Sequence, residues 1–129
     1  MISFPFTLLD GGSLILVEGM LDDDKIVWAL DTAASHTIID LTKLILAGYS
    51  FQNMGDTVQF ETGKGIVEAQ TLQVKKLEAL GITLENTIVS AYDFLANGIF
   101  SEYDGLLGLD FFMDRKICID LREMVITIN

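Results

Sequence analysis

Apolar and polar positions along this chain fall mostly into short runs of period two, which predicts strands. Residues 2–8 read as a strand that Pro5 confines to a sheet edge or a bulge. Asp10-Gly11-Gly12 is a turn, and residues 14–20 form the returning strand. Asp22-Asp23-Asp24-Lys25 makes a second turn, charged and solvated. The apolar run from Ile26 to Leu30 then drives into Asp31, so residues 26–31 read as a buried strand ending in an acid. Small residues follow, and Ile38-Ile39 begins another strand. Residues 40–48 predict a short helix that Asp40 caps and Gly48 ends, with Leu41, Leu44 and Ile45 on one face. Residues 57–61 and 66–77 are two strands joined by Thr62-Gly63-Lys64-Gly65, with Leu72 and Val74 alternating with Gln73 and Lys75. In residues 82–90, Ile82, Leu84 and Ile88 share a face. Residues 92–100 are irregular, with a turn at Asn97-Gly98. Residues 104–107 lead into Gly108, after which Leu109, Phe112 and Met113 share one helical face. Residues 116–120 and 124–128 form a last hairpin. No internal repeat, linker or low-complexity segment interrupts the pattern.

A chain of 129 residues, half of them hydrophobic, predicts one domain spanning 1–129 with ample core. Eight basic residues stand against 19 acidic ones, a net charge of −11. Nucleic acid is not an expected partner, because phosphate binding needs a basic footprint. An anionic membrane surface is disfavoured on the same ground, and no apolar run approaches the length of a membrane span. Cys118 is the one cysteine, so no intramolecular disulfide can form. With no basic region opening Met1-Ile2-Ser3-Phe4-Pro5, the expectation is a soluble, cytoplasmic protein.

Candidate chemistry concentrates at Asp31-Thr32-Ala33-Ala34-Ser35. A carboxylate at the end of an apolar strand is well placed for acid–base work, though a solvated turn accounts for these residues equally well. His36 is the only histidine, and without a second histidine or cysteine nearby no metal site is expected. It reads as a loop residue without catalytic duty. The adjacent aspartates at 22–24 lack the alternation and the glycine of a calcium loop. Cys118 alternates with Ile117 and Ile119 and shows no activating neighbour. No cofactor is implied.

Asp31-Thr32-Ala33-Ala34-Ser35, after its apolar strand, resembles the catalytic loop of aspartic proteases. Downstream, Asp104-Gly105-Leu106-Leu107-Gly108-Leu109-Asp110 resembles the apolar-apolar-Gly element that passes beneath that loop. The order of acid loop, glycine-tipped hairpin, apolar-apolar-Gly and helix is similar to one subunit of the retropepsin-like family. The resemblance implies an all-β fold, a closed β-barrel of the acid-protease type with one or two short helices. It implies an aspartic endopeptidase acting on a peptide or protein substrate, with Asp31 catalytic. Only one such motif is present, and the mechanism needs two carboxylates, so the resemblance implies a homodimer. Thr32 would bond across the two-fold axis, and Ala33, Ala34 and Ser35 would shape the loop. Leu106, Leu107 and Gly108 would support it from below, and Gly63, Lys64 and Gly65 would form the tip of a flap. A plain hairpin turn needs the same glycines.

One departure stands out: Ala33 occupies the family's usual glycine position. A Cβ there would crowd the site if the backbone needed positive φ. That favours an alternative, a non-catalytic dimeric module gripping extended peptides. Finally, Val125 to Ile128 carries no charge and runs nearly to the chain end. Its backbone edge is expected to be uncovered within one chain and so to join the dimer interface.

Overall fold

The computed structural model describes residues 2–12, 14–50, 52, 54–62, 65–99 and 102–129. Among these, the period-two pattern gives eleven strands: β1 (Ile2–Pro5), β2 (Thr7–Leu8), β3 (Ile15–Leu21), β4 (Asp24–Leu30), β5 (Ile38–Asp40), β6 (Met54–Thr62), β7 (Gly65–Ala79), β8 (Ile82–Tyr92), β9 (Gly105–Leu107), β10 (Ile117–Asp120) and β11 (Val125–Ile128). One short α-helix, α1 (Leu41–Leu46), accompanies them. The second expected helix is a 3-10 turn, Leu109–Phe112.

An eight-stranded sheet runs in the order β2-β3-β4-β9-β5-β8-β7-β6, and β3 also pairs with β7. The hydrogen-bonded order therefore returns from β7 to β3, with β2 and β6 outside the ring, through the short seam from Gly19–Ala79 to Leu21–Leu77. The class is all-β with one small helix. Trp28 lies at the centre, fully buried among Leu21, Ile26, Leu77 and Leu107. It fits because glycines flank it on both sides. A Cβ on Gly19 or Gly105 would stand 2.7 Å from the indole. Burying each such large apolar side chain stabilises the fold by about 1.5–3 kcal/mol.

Several expectations change in the structure. In β8, Ile88 is 57% exposed and Val89 is buried, so Ile88 does not share a face with Ile82 and Leu84. The cause lies at Lys75 and Asn86, between the register pairs Val74–Thr87 and Lys76–Glu85. Asn86 is left-handed (φ 52), and the Lys75 N–H donates to the Tyr49 hydroxyl at 2.9 Å. Both strands switch their buried face across this point. The Tyr49 hydroxyl in turn donates to Asp22 Oδ2 at 2.7 Å, while Asp22 Oδ1 accepts from the Lys76 N–H. Asp22 is thus no solvated turn residue but a clip onto β7. Burial, and then the neighbouring Asp22 carboxylate, push the Tyr49 hydroxyl up from 10.0 to about 12 against the opposing Lys75 N–H bond.

Asp40 precedes α1 but makes no side-chain cap; its Oδ1 accepts from the Phe94 N–H instead. The helix ends as expected at Gly48 (φ 101), with Tyr49 N–H to Leu44 and Gly48 N–H to Ile45 carbonyls. After Gly108, Phe111 and Phe112 are buried while Leu109 and Met113 are exposed. The shared face expected of Leu109, Phe112 and Met113 is absent: the buried pair is the adjacent Phe111 and Phe112, and Met113 (φ −56, ψ 136) has already left the turn. Strand β11 is not an uncovered edge. It is the central strand of a three-stranded sheet, β1-β11-β10, with both flanks paired inside one chain. The open edges belong to β1, which carries Pro5, and to β10.

Candidate active site

Asp31 follows the last residue of β4, and the crossing strand β9 fixes it there. The Asp31 N–H donates to the Leu107 carbonyl at 3.0 Å. A tight turn then closes on the acid itself: Ala33 N–H donates to Asp31 Oδ1 (3.0 Å) and Ala34 N–H to the Asp31 carbonyl (3.1 Å). Asp31 is half-buried, Thr32 and Ala33 are exposed, and Ala34 is buried. The second carboxylate oxygen has no hydrogen-bond partner among the described residues. An oriented carboxylate with one free oxygen at a water-accessible surface can accept a proton from a bound water.

The loop is stitched to the segment beneath it. The Leu109 N–H donates to the Ala34 carbonyl at 2.8 Å. Thr37, only 3% exposed, accepts from the Gly108 N–H at 3.2 Å and donates its hydroxyl to Asp110 Oδ1 at 2.7 Å. The Thr37 N–H donates to Asp110 Oδ2 at 3.1 Å. Gly108 has an ordinary backbone (φ −89), yet only glycine fits. A Cβ there would stand 2.6 Å from the carbonyl carbon and oxygen of His36 and 2.9 Å from the Ala34 oxygen. Asp104 anchors the other end of the crossing segment. Its N–H donates to the Val27 carbonyl, and its Oδ2 accepts from the Val27 N–H. The roles of Thr37, Asp104 and Asp110 are absent from the sequence reading. Their only signal is an acid at each end of the Gly105–Gly108 run, which is too generic to interpret alone.

Leu107 lies fully buried in the main core. Leu106 points instead to a smaller cluster built on Ile38, Ala69 and Phe94, with Val67, Tyr92 and Tyr103 against it. Phe94 meets Tyr92 and Tyr103 edge to face, at centroid distances of 6.3 and 5.8 Å. This cluster joins the hairpin strand β7 to β5, the strand leaving the acid loop. The hairpin pairs β6 with β7 up to Thr62–Gly65, and Gly65 is left-handed (φ 108). Gly63 and Lys64, the expected flap tip, lie outside the described residues. Ser35 and His36 are exposed and share a 2.9 Å hydrogen bond between Oγ and Nδ1.

Ala33 answers the question raised by its sequence. The non-glycine residues in the left-handed region, among those described, are Asp22, Leu80, Asn86, Asp114 and Met124. Ala33 is not one of them, so its methyl group imposes no backbone strain.

A family model described as aspartyl protease matches residues 17–111, which contain the acid loop, the hairpin and the crossing segment. The chain belongs to the aspartyl protease family. The fold is similar to a retropepsin-like aspartic protease from Rickettsia conorii, with TM-score 0.68 and 15% identity over 97% of this chain and 88% of that one. It is also similar to the retroviral protease-like domain of Ddi1 from Leishmania major, with TM-score 0.60 and 14% identity over 91% of this chain and 87% of the other. No curated protein sequence matches the chain. A cavity of 470 Å³ bordered by Leu41, Val67, Ala69 and Tyr92 and a groove of 530 Å³ beside Phe4 and Leu80 both exclude Asp31. Among the described residues, no cluster of metal-ligating side chains is present, and no helix is long and apolar enough to cross a membrane.

Proposed function

We propose that this chain is an aspartic endopeptidase of the retropepsin-like type, active as a homodimer with one Asp31 from each subunit. The observation that carries the reading is the Asp31 loop. Its acid is pinned by Leu107 and Ala33 and braced through Thr37 and Asp110, while one carboxylate oxygen stays free. One chain supplies one such carboxylate, and a two-fold axis through the loops supplies the second. Two carboxylates a few ångströms apart cannot both ionise easily, so the pair holds one proton. The ionised partner takes a proton from a water, whose oxygen attacks the peptide carbonyl carbon. The protonated partner gives its proton to the carbonyl oxygen. Collapse of the resulting diol, with a proton passed to the nitrogen, breaks the C–N bond.

On this reading Thr32 bonds across the axis, backbone groups near Ala33 and Ser35 bind the substrate main chain, and Ala34, Leu106, Leu107 and Gly108 support the loop. Gly63, Lys64 and Gly65 form the flap. The domain is the whole chain, 1–129, and the returning strand order is a closed barrel. The test is Asp31→Asn, close in shape but unable to serve as the base. Peptide-library cleavage should vanish with circular dichroism unchanged. Full activity in that variant would remove Asp31 from the mechanism.

A further inference from the structure

Strand β10 leaves one edge open, and the residues along it match their own copy. The Lys116 N–H donates to the Asn129 carbonyl at 3.2 Å, and the Asn129 N–H donates to the Lys116 carbonyl at 2.9 Å. An antiparallel ladder alternates, so Cys118 and Asp120 also bond inward to β11, while Ile117 and Ile119 turn their N–H and carbonyl groups outward. Among the described residues those outward groups have no partner. The opposite edge, β1, is blunted by Pro5, whereas β10 carries no proline. Lys116 is exposed and has no ion pair among the described residues. Asp120 Oδ1 accepts from the N–H groups of Arg122 and Glu123, both at 2.9 Å, which leaves Oδ2 free. Exposed apolar side chains lead to this edge: Leu109, Met113, Ile119 and Leu121. The first of them is bonded to the acid loop through the Ala34 carbonyl, so the run starts at the site and ends at the open strand.

We infer, resting on the homodimer reading above, that β10 pairs antiparallel with β10 of a second copy, in the register that sets Cys118 against the partner's Cys118. Ile117 then faces the partner's Ile119 and exchanges both backbone hydrogen bonds with it, and Lys116 faces the partner's Asp120. The two-fold axis repeats each pair. Lys116-Ile117-Cys118-Ile119-Asp120 is thus self-complementary about its centre, and that charge match selects a second copy as the occupant. Sliding the register sets Lys116 or Asp120 against Cys118 or against its own copy, and like charges directly opposed destabilise a sheet. A net charge of −11 on each chain resists association elsewhere. Two three-stranded sheets join edge to edge, and the site, incomplete with one Asp31, gains its second acid.

The thiol reports the register. Residues opposed in a non-hydrogen-bonded antiparallel pair have Cα atoms about 4.5 Å apart, within the reach of a disulfide. Mild oxidation of the full chain with diamide should give a dimer linked through Cys118, read by non-reducing electrophoresis and mass spectrometry. Ser3→Cys in a Cys118→Ser background is the control. It puts an exposed thiol on the same sheet face but on the far strand β1, and should crosslink far more slowly. Lys116→Glu makes both charge pairs repulsive and should weaken the dimer about tenfold in sedimentation equilibrium. Ile119→Pro removes one outward N–H, where an edge strand tolerates proline, and should also weaken it with circular dichroism unchanged. Equal crosslinking in the Ser3→Cys control, or a dimer of unchanged affinity in folded Lys116→Glu, would overturn the inference and leave the homodimer reading in place. A chain that stays monomeric at high concentration would overturn both. A dimer linked through Cys118 but inactive on peptides would support the β10 contact and overturn the peptidase reading alone.

Discussion

Replacing Thr37 with valine removes a single hydroxyl from beneath the acid loop and keeps the side-chain shape. Two hydrogen bonds are lost: the donation to Asp110 Oδ1 at 2.7 Å and the acceptance from Gly108 N–H at 3.2 Å. The Gly108 donor is then buried without a partner, which costs about 1–3 kcal/mol. Asp110 is exposed and recovers much of its loss from water, so that bond contributes about 1 kcal/mol. The added methyl group returns somewhat less than about 1 kcal/mol of burial. The net expectation is a destabilisation of about 2 kcal/mol. Urea denaturation should show the midpoint falling by about 1 M with the slope unchanged. Thr37→Ser is the control, since it keeps the hydroxyl and loses only the γ-methyl, costing about 1 kcal/mol. The valine variant should also lose peptidase activity out of proportion to its stability, because a small misplacement of a reacting group can cost about a hundredfold in rate. A valine variant as stable as the parent, or more stable than the serine variant, would refute the brace.

Gly108→Ala should destabilise by about 2 kcal/mol or more, because its Cβ meets backbone atoms of His36 and Ala34 that cannot rotate away; thermal denaturation reads this directly. Tyr49→Phe should cost about 1–3 kcal/mol in urea, leaving the Lys75 N–H without an acceptor and Asp22 Oδ2 without a donor. The Tyr49 hydroxyl titrates higher in the folded chain than in the unfolded one, so its contribution is full below pH 10.0 and is lost as pH rises through about 12. Midpoints measured across that window should fall more steeply for the parent than for Tyr49→Phe.

Much of the fold is legible because it rests on local alternation. The strand leading to Asp31, the hairpins and the helix stop at Gly48 all follow from residue types at short range. What escapes the sequence depends on partners far along the chain. The face switch in β8 needs the Tyr49 hydroxyl to draw Lys75 out of its ladder, a contact 26 residues away. The apolar C-terminal strand looks like an unprotected edge until β1, at the opposite end of the chain, is found to cover it. The acid is visible at Asp31, but its brace joins Thr37 to Asp110 across 73 residues. Ala33 suggested backbone strain only by analogy with a glycine, and the loop adopts a conformation alanine tolerates.

The separation of the two Asp31 carboxylates, measured in a crystal structure of the protein in its solution assembly, tests the central claim most directly. A symmetric dimer is expected, with the two carboxylates about 3 Å apart, the spacing characteristic of carboxylate pairs that share one proton. A monomer at high concentration, or a dimer that holds the two Asp31 side chains far apart, would contradict it.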